Sequence, residues 1–448
     1  VSGLSFPALK RPDVSIVIPV FGQWEWVVRA LGALLANTEP RYELIVVDDA
    51  SPDDISGRLA AATENVRIVQ NPRNFGCGLS CNHGAAYARA EFLVFLNDDA
   101  LVHTGWLPPL LETAASSPKV GAVGPRFLDV DGSVQEAGAL LFGDAATGAY
   151  GRGCPDSVAE LRRPRVVDYI SGACLMVRRC AFNEVGGHNP IYTAYYSDVD
   201  LCLTLASHGY LTVYEPRSVV THVFGWAERH AVADTVVTRS RELFAHHWSN
   251  VLASRPAAQP DSIAARDAPL PDRLLVVADR PPEGGSRAAE LLSQLAALCP
   301  TGHIALLSET AAPDREGDLL AAGIECAQGG LEYAEKWLAN RRFHYDAVLN
   351  LGPRHRALEQ MIRRTQPQAL WLMDLDAAAA EEIANDRATD EFAAIDAVLV
   401  GSEEVQRTIA AKMVSTAVFF VGDGVGFEQS LSEVLVHFGF ATTAISNR

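Results

Sequence analysis

The segment Val94–Leu101 (VFLNDDAL) is an apolar run that closes on two adjacent carboxylates, Asp98 and Asp99. A second pair, Asp48 and Asp49, closes the run ELIVVDDAS. A buried carboxylate is costly unless it is paired or binds a metal, and two side by side repel each other. Hard cations such as Mg2+ or Mn2+ take carboxylate oxygens and share their coordination with substrate phosphates. The chemistry on offer is therefore cation-assisted handling of a diphosphate. For Asp48 and Asp49 a second role competes, because Ser51 or Asp53 can cap the helix that follows. The loop Asn74-Phe75-Gly76-Cys77-Gly78 adds a Gly-x-Gly core where a nucleotide could approach the backbone. It does not follow the first strand of its unit, as the dinucleotide fingerprint requires, and this argues against a dehydrogenase.

These residues need a scaffold that brings them together. Apolar runs predict buried strands at Val14–Val20, Glu43–Val47, Val66–Gln70 and Glu91–Leu96, with helices at Trp24–Ala36 and Leu79–Ala90 between them. That is βαβ architecture. Ligands bind such sheets at the carboxyl ends of the strands, so Pro19, Asp48, Asp49, Asp98 and Asp99 fall on one rim. Further on, Val120–Val123 reads as a strand. Asp131-Gly132 reads as a hairpin turn rather than a calcium loop, which would need a further acidic position and a closing Glu. Gly143–Arg165 reads as a long loop of the kind that often carries function. Asp168–Arg178, Leu211–Glu215 and Ser218–Phe224 read as strands. Ser197–His208 and Thr235–Ala253 read as helices, the first with Asp198 and Asp200 in its opening turn.

The Pro-, Ala- and Asp-rich stretch Ser254–Asp272 reads as an interdomain linker. Beyond it strands are expected at Arg273–Ala278, His303–Ser308, Tyr345–Leu351, Ala369–Asp374, Ala397–Gly401 and Ala417–Val421. Helices such as Ser286–Leu298 and Glu403–Lys412 lie between them. The expected division is a first α/β domain over 1–253, a linker over 254–272 and a second, doubly wound α/β domain over 273–448.

Of the 448 residues, 48% are hydrophobic and 21% charged, with a net charge of −18. This composition argues against disorder and disfavours nucleic acid or anionic membrane as bulk partners. An anionic ligand needs a cation to mediate. The eight cysteines form no CxxC pair; Cys77 and Cys81 are one helical turn apart, without the second pair that a zinc site needs. Small buried thiols in a reducing cytosol are expected. No apolar run is long enough to span a bilayer and no signal-peptide pattern is read, so the expected location is cytoplasmic.

The words VSIVIPVFG, ELIVVDDAS, NPRNFGCGLSCNHG, FLVFLNDDALV, SGACLMVRR, YYSDVDLCLTLASHGY and VVTHVFG occur in this order from about Asp13 to Val251. In order and spacing this segment resembles an inverting family 2 glycosyltransferase with a GT-A fold, most of all the rhamnosyltransferase-like branch that builds bacterial surface polysaccharides. The resemblance implies transfer of a sugar from a nucleotide-diphosphate donor to a hydroxyl of a surface glycan or its lipid-linked precursor, at the inner face of the cell membrane, with Mn2+ or Mg2+ as cofactor. It implies that Asp49 contacts the nucleotide base in a donor pocket shared with Pro19, Asp48 and Asn74. Asn97-Asp98-Asp99 takes the place of the DxD motif, with Asp99 as metal ligand and Asp98 towards the sugar or ribose. His222 matches a further metal ligand and Asp198 the catalytic base; Asp200, two residues on at the helix start, is expected to be a dipole or capping partner.

Three departures surround the acceptor side: Ser197 where the family has Glu, Gly186–Pro190 (GGHNP) in place of GGFDE, and Thr204 in place of Arg. They keep a second reading open, a non-catalytic glycan-binding or scaffolding subunit of a polysaccharide-synthesis complex. A sugar-phosphate nucleotidyltransferase would show a Gly- and Arg-rich loop with Lys after the first strand, where Phe21-Gly22-Gln23-Trp24 stands instead. The second domain resembles the N-terminal half of a GT-B glycosyltransferase, through LLVVADRPPEGGSRAAELLSQLAAL and VGDGVG (Val421–Gly426). Without the donor-binding half of that fold, it is expected to bind acceptor glycan, to pack, or to support a homo-oligomer.

Overall fold

The computed structural model describes residues 3–39, 41–193, 195–223, 234–259, 262–270, 272–298, 303–312, 315, 317–319, 322–341, 344–351, 356–375, 395–400, 406, 417–420 and 427–437. The expected helix Glu403–Lys412 (apart from Gln406), the word Val421–Gly426, Cys299 and the last two residues of VVTHVFG lie outside the described residues. The chain divides into two compact units, Val1–Pro269 and Leu270–Arg448.

The first unit is built on one large sheet. Its strands are β1 (Val14–Val20), β2 (Tyr42–Asp48), β3 (Val66–Gln70), β4 (Phe92–Leu96), β5 (Ala100–Val102), β6 (Val120–Leu128), β7 (Val134–Glu136), β8 (Arg165–Val166), β9 (Cys174–Arg178) and β10 (Leu211–His222). Their order is β8-β10-β6-β9-β4-β1-β2-β3, with β5 paired to β10 and β7 to β6. Strands β1 to β4 are parallel. Strand β9 runs antiparallel between β4 and β6. The result is the mixed, GT-A-like α/β sheet that the motif order implies.

Every residue of FLVFL in β4 is buried, which is why the strand reads as a continuous apolar run rather than an alternation. Helices α1 (Trp24–Asn37), α2 (Ile55–Ala62) and α3 (Cys77–Ala85) connect the parallel strands. Helix α3 lies so close to the sheet that a Cβ on Gly84 would stand 2.4 Å from Val17 Cγ1 and 2.9 Å from Val47 Cγ2. Overpacking of that kind costs about 1–3 kcal/mol. Helix α4 (Leu107–Ser116) follows β5, α5 (Arg179–Glu184) follows β9, α6 (Ser197–Ser207) precedes β10 and α7 (Asp234–His247) follows it.

Several expectations are corrected. The strand expected at Asp168–Arg178 begins only at Cys174, because the Ser171 and Gly172 amides turn towards side-chain carboxylates instead of a neighbouring strand. The two strands expected over Leu211–Phe224 are one strand, β10, with an irregularity between Glu215 and Val219. Within the expected loop Gly143–Arg165, Thr147–Ala149 pairs with Ala139–Leu141 and a 3-10 turn covers Ala159–Arg162. Most of the expected linker is packed into the first unit: Gly143 N donates to Pro256 O at 2.9 Å, Arg255 pairs with Asp168, and Arg266, 4% exposed, pairs with Glu160 and Asp267. The unit boundary falls at Pro269/Leu270.

The second unit is an all-parallel, Rossmann-like sheet. Its strands are β11 (Arg273–Ala278), β12 (His303–Ser308), β13 (Ile324–Gln328), β14 (Ala347–Leu351), β15 (Leu370–Leu375), β16 (Ala397–Val400) and β17 (Ala417–Phe420), in the order β13-β12-β11-β14-β15-β16-β17. Strand β13 escapes a hydropathy reading because IECAQ carries a glutamate. Glu325 is buried there by pairing with Arg341 at 2.7 Å and His303 at 3.1 Å.

Candidate active site

The rim at the ends of β1 and β2 is held by its own carboxylates. Ala50, in the left-handed region at φ 59°, turns the chain so that Asp48 Oδ1 accepts from Ser51 N at 2.9 Å and Oδ2 from Ser56 Oγ at 2.6 Å. Burial raises the Asp48 carboxyl, but these hydrogen bonds together outweigh it and the net shift is downward. Asp49 Oδ1 accepts from Asn71 Nδ2 and Phe75 N at 2.7 and 2.8 Å, and Oδ2 from Gly76 N at 2.9 Å. A carboxylate offers about four lone-pair sites, so Oδ2 keeps one for a further donor. Gly76 sits at φ 84°, and a Cβ there would stand 2.1 Å from Thr193 O. Asn74 is exposed on this loop, its Oδ1 accepting from Gly76 N at 3.2 Å, and Pro19 is half-buried near the end of β1.

Asp98 and Asp99 lie between β4 and β5, 4% and 1% exposed. Asn97 N donates to Ala173 O at 2.9 Å, which ties this corner to the loop before β9. Strand β5 pairs with the end of β10, His222 opposite Ala100. That register carries His222 Nε2 to 3.5 Å from Asp99 Oδ1. The ring's other nitrogen, Nδ1, is 2.8 Å from Gln135 Oε1. Nε2 is buried and makes no hydrogen bond among the described residues. A nitrogen lone pair and a carboxylate converging in a buried place fit a borderline or hard divalent cation.

Asp198 opens α6. The residue two before it, Tyr196, is held in the left-handed region at φ 70°, a conformation costing of order 1 kcal/mol or more for such a residue. Its hydroxyl donates to Ala145 O at 2.7 Å and its ring packs on Phe244. Asp198 Oδ2 accepts from Gly172 N at 2.8 Å and Oδ1 from Val199 N at 2.9 Å. Asp200 does not cap the helix: Trp248 Nε1 donates to it at 2.9 Å, and burial raises its carboxyl. His188, from the departing word GGHNP, is buried against Phe95 and Phe182. Burial lowers its pKa, which favours the neutral ring.

A cavity of about 450 Å³ is lined by Asp198, His222, Gln135, Glu136, Arg152 and Tyr169, among others. The structure therefore brings Asp198 and His222 onto one cavity, with Asp99 beside His222, while Asp48, Asp49, Asn74 and Pro19 stand on the neighbouring rim. Gln135 and Glu136 were not singled out from the sequence. The available signal was the Asp131-Gly132 turn, which folds SVQEAG back along β6 so that Glu136 pairs opposite Phe127.

Glu136 accepts from the Ser171 N–H, beside the Gly172 N–H that holds Asp198. Burial pushes its carboxyl from 4.5 up to about 7, with Asp198 adding to the rise and the Ser171 N–H and Arg152 opposing it. The folded chain thus binds this proton more tightly than the unfolded chain. The associated stability is present below pH 4.5 and lost as pH rises towards about 7. Glu136→Gln is expected to remove that loss, a difference on the order of 3 kcal/mol between pH 4 and pH 8. Urea unfolding of both proteins at the two pH values checks this; parallel pH dependences would contradict it.

The sequence profile of Glycosyl transferase family 2 matches residues 15–186. The N-acetylglucosaminyl-diphospho-decaprenol L-rhamnosyltransferase of Mycobacterium tuberculosis is 30% identical over 246 residues, which cover 50% of this chain and 78% of that protein. The chain belongs to glycosyl transferase family 2. This family 2 protein is a glycosyltransferase, and the profile spans Asp48, Asp49, Asp98 and Asp99 and ends before Asp198 and His222. The O-antigen biosynthesis protein RfbC of Myxococcus xanthus is 28% identical over 271 residues, 57% of this glycosyltransferase and 20% of RfbC. Among solved structures, GalNAc-T7 with UDP, GalNAc and Mn2+ superposes with a TM-score of 0.44 at 16% identity, over 54% of this chain and 49% of that one. No helix among the described residues of the glycosyltransferase is long and apolar enough to cross a membrane.

Proposed function

We propose that this protein is a metal-dependent, inverting glycosyltransferase that moves a sugar from a nucleotide-diphosphate donor to a hydroxyl of a bacterial surface glycan or its lipid-linked precursor. The observation that carries this reading is the shared cavity: Asp198 and His222 both line it, and Asp99 Oδ1 lies 3.5 Å from His222 Nε2. Asp99 and His222 would hold Mn2+ or Mg2+, with Asp98 towards the sugar or ribose. A bound divalent cation supplies charge neutralisation for the departing diphosphate.

The chain's own residues do the rest. Asp198 takes the proton of the acceptor hydroxyl as it attacks the anomeric carbon, the role of a general base within hydrogen-bond reach. A single displacement with one such carboxylate inverts the anomeric centre. The Gly172 N–H keeps Asp198 aimed into the cavity. Asp48 and Asp49 brace the donor rim, and the free lone pair of Asp49 Oδ2 is available to a base N–H. The acceptor class is supported by the two relatives, whose names specify a diphospho-decaprenol-linked acceptor and O-antigen synthesis. The second unit is proposed to bind acceptor glycan or to support a homo-oligomer.

The donor class is tested by thermal shift with a panel of nucleotide sugars in the presence and absence of Mn2+. One nucleotide sugar is expected to stabilise the chain only with the cation. Stabilisation by none of them, or equally without cation, would overturn the reading.

A further inference from the structure

His222 is a ligand only if the nitrogen facing Asp99 carries a lone pair, and neither Asp99 nor the ring decides that alone. The decision lies with the side chain behind the ring. Gln135 Nε2 donates to Asp129 Oδ1 at 2.7 Å and to the His222 carbonyl oxygen at 2.9 Å. Both partners can only accept. Turning the amide over would set its oxygen against two acceptors, so its orientation is fixed by chemistry. Oε1 is then the atom 2.8 Å from His222 Nδ1. An unprotonated Nδ1 would oppose an amide oxygen at that distance, and Nδ1 must therefore carry the proton. In the neutral ring this leaves the lone pair on Nε2, buried, without a hydrogen bond, and 3.5 Å from Asp99 Oδ1.

We propose that Gln135 is a positioning residue, which locks His222 in the Nδ1–H form and presents the Nε2 lone pair, together with Asp99, to a divalent cation. The inference rests on the metal reading given above and adds to it the group that prepares the ligand. Asp129 anchors the amide and the carbonyl of His222 closes the arrangement, so one glutamine reads both the backbone and the ring of the same residue. Partners of this kind that orient a metal-binding imidazole are generally worth about 10–100-fold in metal affinity. The β6–β7 hairpin thereby acquires a role in the site, because it delivers Gln135 to the end of β10.

The test uses the full chain with 15N-labelled histidine at pH 8, the His222 signals being assigned by their loss in His222→Ala. Wild-type His222 is expected as the Nδ1–H tautomer before any metal is added. Gln135→Leu is expected to release that preference and to weaken binding of Mn2+ alone, followed by electron paramagnetic resonance, by about 10–100-fold. An Nε2–H tautomer in the wild-type chain overturns the inference whatever the variant does, and so does unchanged Mn2+ affinity in a Gln135→Leu protein beside a wild type that binds. If the wild-type chain binds no Mn2+, the metal reading itself falls, and the inference with it.

Discussion

Asp198→Asn is expected to lower glycosyl transfer by about 10²–10⁴-fold while leaving donor and cation affinity unchanged. The asparagine keeps one oxygen that can accept from the Gly172 N–H, so the loop that Asp198 braces at 2.8 Å stays in place, and it gives up the bond from the Val199 N–H within the first turn of α6. What disappears is the capacity to take a proton. Because Asp198 lines the cavity from the first turn of α6 and is bonded neither to Asp99 nor to His222, the loss should fall on kcat and not on the donor KM. Steady-state kinetics with donor and acceptor varied in turn, beside a Mn2+ titration, separates these quantities. Undiminished kcat would remove Asp198 as the base and direct attention to Glu136, a further carboxylate that lines the cavity.

Chelation is expected to abolish transfer, with Mn2+ or Mg2+ restoring it. Charge stabilisation by a cation at a departing diphosphate is worth several kcal/mol, on the order of 10³-fold in rate or more. Asp99→Asn and His222→Ala should each raise the cation concentration needed for half-maximal rate. Both residues are nearly fully buried, so the unfolding temperature of each variant belongs beside its rate. Full activity of the wild-type chain in excess chelator would overturn the metal assignment whatever the variants show.

The sheet was legible where burial on both faces produces continuous apolar runs. Strands β1, β11 and β12 fall where hydropathy places them. It was not legible where polar groups are satisfied by tertiary partners. Strand β13 carries Glu325, which is acceptable in a strand only because His303 and Arg341 meet it. The stretch before β9 reads as strand from its apolar side chains, yet its amides serve Glu136 and Asp198. For the site, adjacent carboxylates at strand ends and the ordered motifs pointed to Asp99, Asp198 and His222. They could not reveal that Asp48 and Asp49 spend most of their hydrogen bonds on their own loops, because a capping and a binding carboxylate look alike in a sequence. Gln135 and Glu136 become visible only once the hairpin register is known.

The central claim, cation-dependent transfer with inversion, is tested most directly by following the reaction by 31P and 1H nuclear magnetic resonance, with the donor identified by thermal shift and a polyprenyl-diphosphate-linked sugar as acceptor. The account predicts that a nucleoside diphosphate appears only with the cation present, and that the new glycosidic bond has the anomeric configuration opposite to the donor's. Retained configuration, or release of pyrophosphate instead of a nucleoside diphosphate, would contradict it.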